Sequence, residues 1–279
     1  MSRISLRRLR QDPHIRALTR ETRPHPEQFI QPLFVVEGLK QRETIPGLTG
    51  VYRDTPETLL AQIESDLAAG VSKFLLFGVP EARAEHDVDA SFTCGQIAAL
   101  KKRFGKDIWL AVDVCMCSYT PHGHCGVLNP EGDHLNNSAS VRELASLALH
   151  YAQAGADCVA PSDMMDGRIG AIREALEAAG HIHTRILSYA AKYASSYYGP
   201  FRDAVGSAGA LGKGNKYSYQ MDPANSDEAL REVALDLDEG ADMIMVKPGL
   251  PYLDIVRRVK ETFGMPTFVY QVSGEYSMI

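Results

Sequence analysis

Long hydrophobic runs are missing from this sequence. No stretch approaches the roughly 18 apolar residues of a membrane span. The N-terminal stretch MSRISLRRLRQDPHIRALTRETRPHP is basic but has no apolar segment of the kind a secretory signal needs. Asp12 and Glu21 interrupt the arginines of what would otherwise read as a mitochondrial presequence, so the cytoplasm is the expected compartment. Excess basic charge is missing too. With 29 Lys and Arg against 35 Asp and Glu, the net charge of −6 argues against nucleic acid or a membrane surface as the main partner. Cysteine is scarce and odd in number, five in 279 residues, which rules out a disulfide scaffold. Cys94 and Cys158 stand alone and read as packing residues. No C-x-x-C pair is present, and no Gly-rich fingerprint follows the first expected strand, which counts against a redox dithiol and a dinucleotide-binding doubly wound sheet.

What the sequence does contain is a series of short apolar runs with helical stretches between them. Strands are expected at 29–38, 71–79, 107–115, 156–162, 184–190, 241–248 and 266–274. These runs are rich in Val, Ile, Leu and Phe without clean alternation, as for parallel strands buried on both faces. Helices are expected at 56–69, 92–104, 138–154, 168–179 and 226–239, with Ser138 and Ser226 as N-caps. The segments AAGVSKFLLFG, QAGADCVAPSD and DEGADMIMVKPG repeat one pattern of helix end, glycine and apolar strand. The glycine supplies the left-handed helix stop that turns the chain into the next strand. Strand and helix in alternation imply a parallel α/β architecture. Reactive residues cluster at strand C-terminal ends, which favours a (β/α)8 TIM barrel over an open sheet. Seven strands are expected rather than eight. The chain therefore reads as a barrel lacking its last β/α unit, with strands one and seven as open edges liable to mispair. Residues 1–28 read as an N-terminal arm or tail, and residues 29–279 as the barrel domain.

Lys247 ends the sixth strand directly after four apolar residues. Burial there lowers the pKa of an amine and makes it a nucleophile toward carbonyls, although a lysine at a strand end can also reach solvent. Lys192 lies just past the fifth strand. Neighbouring strands bring the two ammonium groups together, like charges depress each other's pKa, and the pair suggests Schiff-base chemistry on a ketone or aldehyde. The stretch 199–223 that follows is glycine-rich and polar, as active-site lids are. It carries Arg202, Lys213, Lys216 and Gln220, and Arg202 and Lys216 suit a substrate carboxylate. DVCMCSYTPHGHCG, residues 113–126, follows the third strand on the same expected barrel face. Its Cys115, Cys117 and Cys125 lack the paired spacing of structural zinc folds. By themselves they leave open a catalytic zinc with a free fourth position, a structural zinc closed by His122 or His124, and no metal.

DVCMCSYTPHGHCG, APSDMMDGRI, SYAAKYASSYYGPFRDA, YQMDPAN, MIMVKPGLPYLDIV and YQVSGEY together resemble the porphobilinogen synthase (δ-aminolaevulinate dehydratase) family, in its zinc-using bacterial form. The resemblance runs from about residue 25 to the last residue. It implies a (β/α)8 barrel with an N-terminal arm, assembled as a homo-octamer. The implied reaction condenses two molecules of 5-aminolaevulinate into porphobilinogen on the route to haem and other tetrapyrroles. By resemblance Lys247 forms the Schiff base with the first substrate, on the P-side, and Lys192 serves the second, on the A-side. Zinc on Cys115, Cys117 and Cys125, with no histidine ligand, acts as Lewis acid. Asp113 is placed for proton transfer and Ser162 lies near the reacting centre. Arg202, Lys216 and Gln220 match the A-side carboxylate clamp and Ser273 a P-side carboxylate contact. Tyr198 and Phe201 match pocket-wall or lid positions. Glu232 matches a magnesium ligand of bacterial members, making magnesium a second expected metal. A class I aldolase-like barrel explains the lysines but leaves the cysteines idle. A non-catalytic zinc protein does the reverse.

Overall fold

The computed structural model describes residues 4–207, 209 and 215–278. In chain order its main elements are α1 (Pro13–Leu18), β1 (Gln31–Val36), β2 (Glu43–Ile45), β3 (Leu48–Asp54) and α2 (Pro56–Ala68), then β4 (Lys73–Val79), α3 (Ser91–Phe104), β5 (Trp109–Val114) and α4 (Asn137–Gln153). β6 (Cys158–Pro161), α5 (Arg168–Ala178), β7 (Arg185–Lys192), α6 (Gly199–Ala204), α7 (Asp227–Asp238) and β8 (Met243–Lys247) follow, and α8 (Leu253–Phe263), β9 (Thr267–Val269) and α9 (Ser273–Tyr276) complete the series. One nine-stranded sheet runs β2-β3-β1-β4-β5-β6-β7-β8-β9, parallel except where β2 meets β3. The sheet curls into part of a barrel, so that Gln31, Pro32 and Phe34 of β1 share a cavity with Tyr270–Ser273 beyond β9. No β-ladder joins β9 to β1 or β3 among the described residues. None of the described helices is long and apolar enough to cross a membrane.

The strands differ from expectation at one edge. The seven expected strands are all present, but β2 and β3 are additional. β3 pairs with the side of β1 that was expected to be open, so β1 is an interior strand and the edges are β2 and β9. The hairpin carries no continuous apolar run, because only Ile45, Leu48, Val51 and Asp54 are buried along it. Ser138 does not cap α4. Asn136 does, its side chain accepting the Ala139 N–H at 3.1 Å. Ser226 precedes α7 as expected, but its side chain makes no capping bond.

The repeated helix–glycine–strand pattern has a common geometry. Gly70, Gly155 and Gly240 have φ of 89°, 110° and 105°. The residue after each returns its N–H to a carbonyl five positions back: Val71 to Asp66, Ala156 to Tyr151 and Ala241 to Asp236. This is the six-to-one closure of a Schellman stop, and it delivers each helix into the following buried strand.

Apolar residues on successive strand positions belong to two separate cores. Leu33, Val35, Phe74, Leu76, Leu110, Val112, Ile244 and Val246 pack outward against the helices, together with Leu59, Ile97, Leu144, Ile172 and Val233. Phe34, Val36, Leu75, Phe77, Ala111, Cys158, Ala160, Leu187, Tyr189 and Met245 pack inward. Burial on both faces explains why the strands read as continuous apolar runs. The inner core is where the chemistry-bearing side chains emerge. Residues 4–28 contribute no fully buried residue.

Candidate active site

Lys192 and Lys247 are direct register partners at the C-terminal ends of β7 and β8. Lys247 follows Met245 on the inward face, and a register shift between Ser188 and Ala191 in β7 keeps Lys192 opposite it. Lys247 is 1% exposed. Its Nζ lies 4.0 Å from the ring centroids of both Phe201 and Tyr270, with Tyr189 at 5.3 Å and Tyr198 at 5.4 Å. Aromatic faces compensate a cation only in part. Burial first, and the Lys192 charge second, push the Lys247 amine down to about 7. Lys192 is also buried, and its Nζ donates to the Ser162 carbonyl.

Asp113 is the penultimate residue of β5, on the inward face between Ala111 and Cys115. Burial pushes its carboxyl up to about 6, against the opposing pull of a Ser162 hydrogen bond and the two lysines. Its Oδ1 is buried without a partner. Ser162 therefore serves both neighbours, its carbonyl accepting from Lys192 and its side chain favouring the ionised form of Asp113. The Ser162 N–H bonds to Val114 O at 3.1 Å, which ties β6 to the end of β5.

The three cysteines of the same loop converge. Their Sγ atoms all lie within 4.8 Å of one another, buried and unbridged, and they form the only such cluster of potential metal ligands among the described residues. Hydrogen bonds from the other two thiols hold Cys125 well below the usual thiol range, assisted by the Lys216 charge. Lys216 Nζ lies 3.1 Å from Cys125 Sγ. Three soft donors at this separation, one already favoured as thiolate, fit a thiophilic divalent ion such as zinc. Gly126 makes the turn possible, since a Cβ there would lie 2.4 Å from Ser140 Oγ, the atom that accepts the Val127 N–H. The histidines are engaged elsewhere. His122 Nε2 lies 2.9 Å from Glu85 Oε1, and His124 Nδ1 lies 3.1 Å from the Tyr219 hydroxyl.

The remaining expected residues fall into four groups. Tyr198 and Phe201 wall the Lys247 chamber, and the Tyr198 hydroxyl donates to Tyr193 O at 2.6 Å. Lys216, Gln220 and Ser273 are buried, and the buried Arg202 Nε and Ser273 hydroxyl have no hydrogen-bond partner among the described residues. Lys213 lies outside the described residues. Glu232 is not part of the chamber. It sits on α7 in a surface depression with Asn225, Ser226, Asp227, Glu228 and Arg231, its carboxyl raised mainly by burial.

Sequence reasoning missed several contributors. Tyr189 and Tyr270 supply aromatic walls and read in the sequence only as strand residues. Arg168 makes a buried bidentate pair with Asp236, 2.7 and 3.1 Å, and shares Ser188 with it. No local pattern could reveal this pair, whose partners are 68 positions apart.

A family model described as "Delta-aminolevulinic acid dehydratase" matches residues 3–279. The chain is 49% identical to the delta-aminolevulinic acid dehydratase of Methanothermus sociabilis over 276 residues, covering 98% of this chain and 85% of that one. It is 48% identical to the delta-aminolevulinic acid dehydratase of Bradyrhizobium diazoefficiens over 282 residues, covering 99% and 79%. Its fold matches a crystal structure of delta-aminolevulinic acid dehydratase (porphobilinogen synthase) from Toxoplasma gondii, solved in complex with the reaction product porphobilinogen. The TM-score is 0.93 at 42% identity, covering 99% of this chain and 80% of that one.

Proposed function

The chain belongs to the delta-aminolevulinic acid dehydratase family, and on that premise we propose that it condenses two molecules of 5-aminolaevulinate into porphobilinogen, with loss of two waters, in tetrapyrrole biosynthesis. The observation that carries this reading is the pairing of Lys192 with Lys247 in register beside Asp113, inside an aromatic chamber.

An amine lowered to about 7 is substantially neutral near physiological pH and can attack a ketone. Lys247 Nζ adds to the carbonyl carbon of the first substrate. The resulting carbinolamine loses water to give a protonated Schiff base. Asp113, raised to about 6, can take up and return a proton near neutrality, and the Ser162 hydroxyl holds it in place. Lys192, anchored on the Ser162 carbonyl, serves the second substrate as amine or cation. Arg202, Lys216 and Gln220 are proposed to hold the A-side carboxylate and Ser273 the P-side one. The unpartnered Arg202 Nε and Ser273 Oγ support both assignments. Cys115, Cys117 and Cys125 would hold zinc, which when bound supplies a Lewis acid to polarise the second substrate. Glu232 is proposed as a magnesium ligand remote from the chamber. Exposed Leu6, Leu9 and Leu18 in the arm support assembly with further copies of this chain, which the family resemblance makes an octamer.

The test is to incubate the protein with 5-aminolaevulinate and detect porphobilinogen with Ehrlich's reagent, with and without chelator. Colour that chelator removes and zinc restores is expected. No colour from zinc-loaded protein with Lys247 intact would overturn the reading.

A further inference from the structure

Glu275 is a carboxylate that the site as described leaves out. It is 1% exposed, pairs with no cation among the described residues, and accepts three backbone N–H groups from two different turns. Its Oε1 accepts from Gly249 at 3.0 Å and from Val272 at 2.9 Å, and its Oε2 accepts from Leu250 at 2.6 Å. Gly249 and Leu250 belong to the turn that begins immediately after Lys247 and Pro248. Val272 directly precedes Ser273, whose backbone stands at φ 40° and whose buried hydroxyl has no partner. One side chain therefore fastens the turn after the Schiff-base lysine to the turn that presents the free hydroxyl. Space between them is tight, since a Cβ on Gly249 would lie 2.8 Å from Gln271 Oε1.

We propose that Glu275 is a positioning residue that sets the distance between the Lys247 amine and the Ser273 hydroxyl, and so matches the chamber to a substrate carrying a ketone and a carboxylate. The inference rests on the proposed function for its substrate, but its geometry does not. β8 and β9 are paired as far as Val246 and Val269, with a last backbone bond from the Tyr270 N–H to Val246 O at 3.1 Å, so the two turns beyond have no sheet to hold them in register. A buried anion surrounded by peptide N–H groups takes over that task, because hydrogen bonds to an ionised acceptor are stronger and more directional than neutral ones. A neutral amide cannot replace it. With its oxygen on Gly249 and Val272, its NH2 would face the Leu250 N–H, donor against donor.

The test compares Glu275→Gln with Glu261→Gln at an exposed position of α8, each zinc-loaded, by steady-state kinetics, borohydride trapping of Lys247 with 5-aminolaevulinate, and amide hydrogen exchange. Glu275→Gln is expected to raise KM about tenfold or more, lower kcat, and slow trapping by a similar factor. Exchange should accelerate selectively at Gly249, Leu250 and Val272, and Glu261→Gln should match the unmodified chain. Unchanged KM and trapping would overturn the inference. So would a loss of activity that follows only a smaller folded fraction, with KM and the trapping rate of that fraction unchanged. If the unmodified protein neither traps 5-aminolaevulinate nor turns it over, the proposed function fails. Selective exchange at the three amides would still report whether Glu275 holds the two turns together.

Discussion

The outward and inward faces of the sheet are built by the same strands and differ in almost everything else. Outward, Leu76, Leu110, Val112, Ile244 and Val246 meet helix residues in an apolar layer. Inward, within the same few residues, the strands and their C-terminal ends present a half-buried Asp113 and buried Cys115, Lys192 and Lys247, groups costly to desolvate. The outward layer supplies burial energy. The inward one spends part of it on these groups, and the shifted pKa values of Asp113 and Lys247 serve chemistry rather than stability. The division implies that substitutions on the two faces should move activity and stability in opposite ways.

The largest expected effect is at Lys247. Lys247→Met keeps the length and places an apolar chain among Phe201, Tyr270, Tyr189 and Tyr198. Porphobilinogen formation should fall below about one part in 10³, since the proposed Schiff base forms on the Lys247 amine. The melting temperature should rise, because a desolvated amine has been replaced by apolar atoms. The pH dependence follows from the direction of the shift. The folded chain holds the Lys247 proton less tightly, down to about 7 from an ordinary 10.5, so between these values the unfolded chain binds more protons. Stability of the unmodified protein therefore gains from Lys247 as pH rises through that window. The advantage of Lys247→Met should be full below about pH 7 and shrink toward pH 10. Melts across that range check it, and an advantage that grew with pH would break the contrast between the faces.

Leu76→Ala probes the other face. Leu76 is fully buried in the helix-facing layer, and its truncation should cost about 2–5 kcal/mol. For a chain of this size that is a fall of roughly 5–15 °C in melting temperature. KM for the folded fraction should not change. A raised KM would mean that outward packing is not independent of the chamber on the other side of the same strand.

Much of this division was legible in the sequence and part of it was not. Seven strands, five of the helices between them and the placing of Lys192, Lys247 and the cysteines on one face followed from apolar runs, glycine stops and position along each strand, whereas α6 and α8 were not foreseen. The β2–β3 hairpin was not legible, because β3 is buried only at Leu48, Val51 and Asp54, every third position, which gives neither a continuous apolar run nor the alternation of a half-buried strand. The pairing of Arg168 with Asp236, and the grip of Glu275 on two turns, depend on contacts between segments far apart in sequence. Neither has a local spacing to reveal it. Resemblance to a family supplied the roles of Ser162, Gln220 and Ser273, which residue chemistry alone would have left as ordinary polar positions.

The smallest expected effect tests the contrast at a place where the two faces come close. α4 belongs to the outer layer through Leu144 and Leu147, yet its first turn carries Ser140, which holds the Val127 N–H just beyond Cys125. Asn136 caps this helix, whereas the sequence alone had pointed to Ser138, which lies within its first turn. Asn136→Ala removes the acceptor for the Ala139 N–H and should cost about 1 kcal/mol, whereas Ser138→Ala should cost little. If the layers are separable, Asn136→Ala lowers the melting temperature by about 2–4 °C and leaves zinc affinity unchanged in a competition titration against a chromogenic chelator. If zinc affinity falls with it, the cysteine loop takes its shape from the end of α4. The border between the stabilising face and the reactive one would then lie inside the helix layer rather than at the sheet.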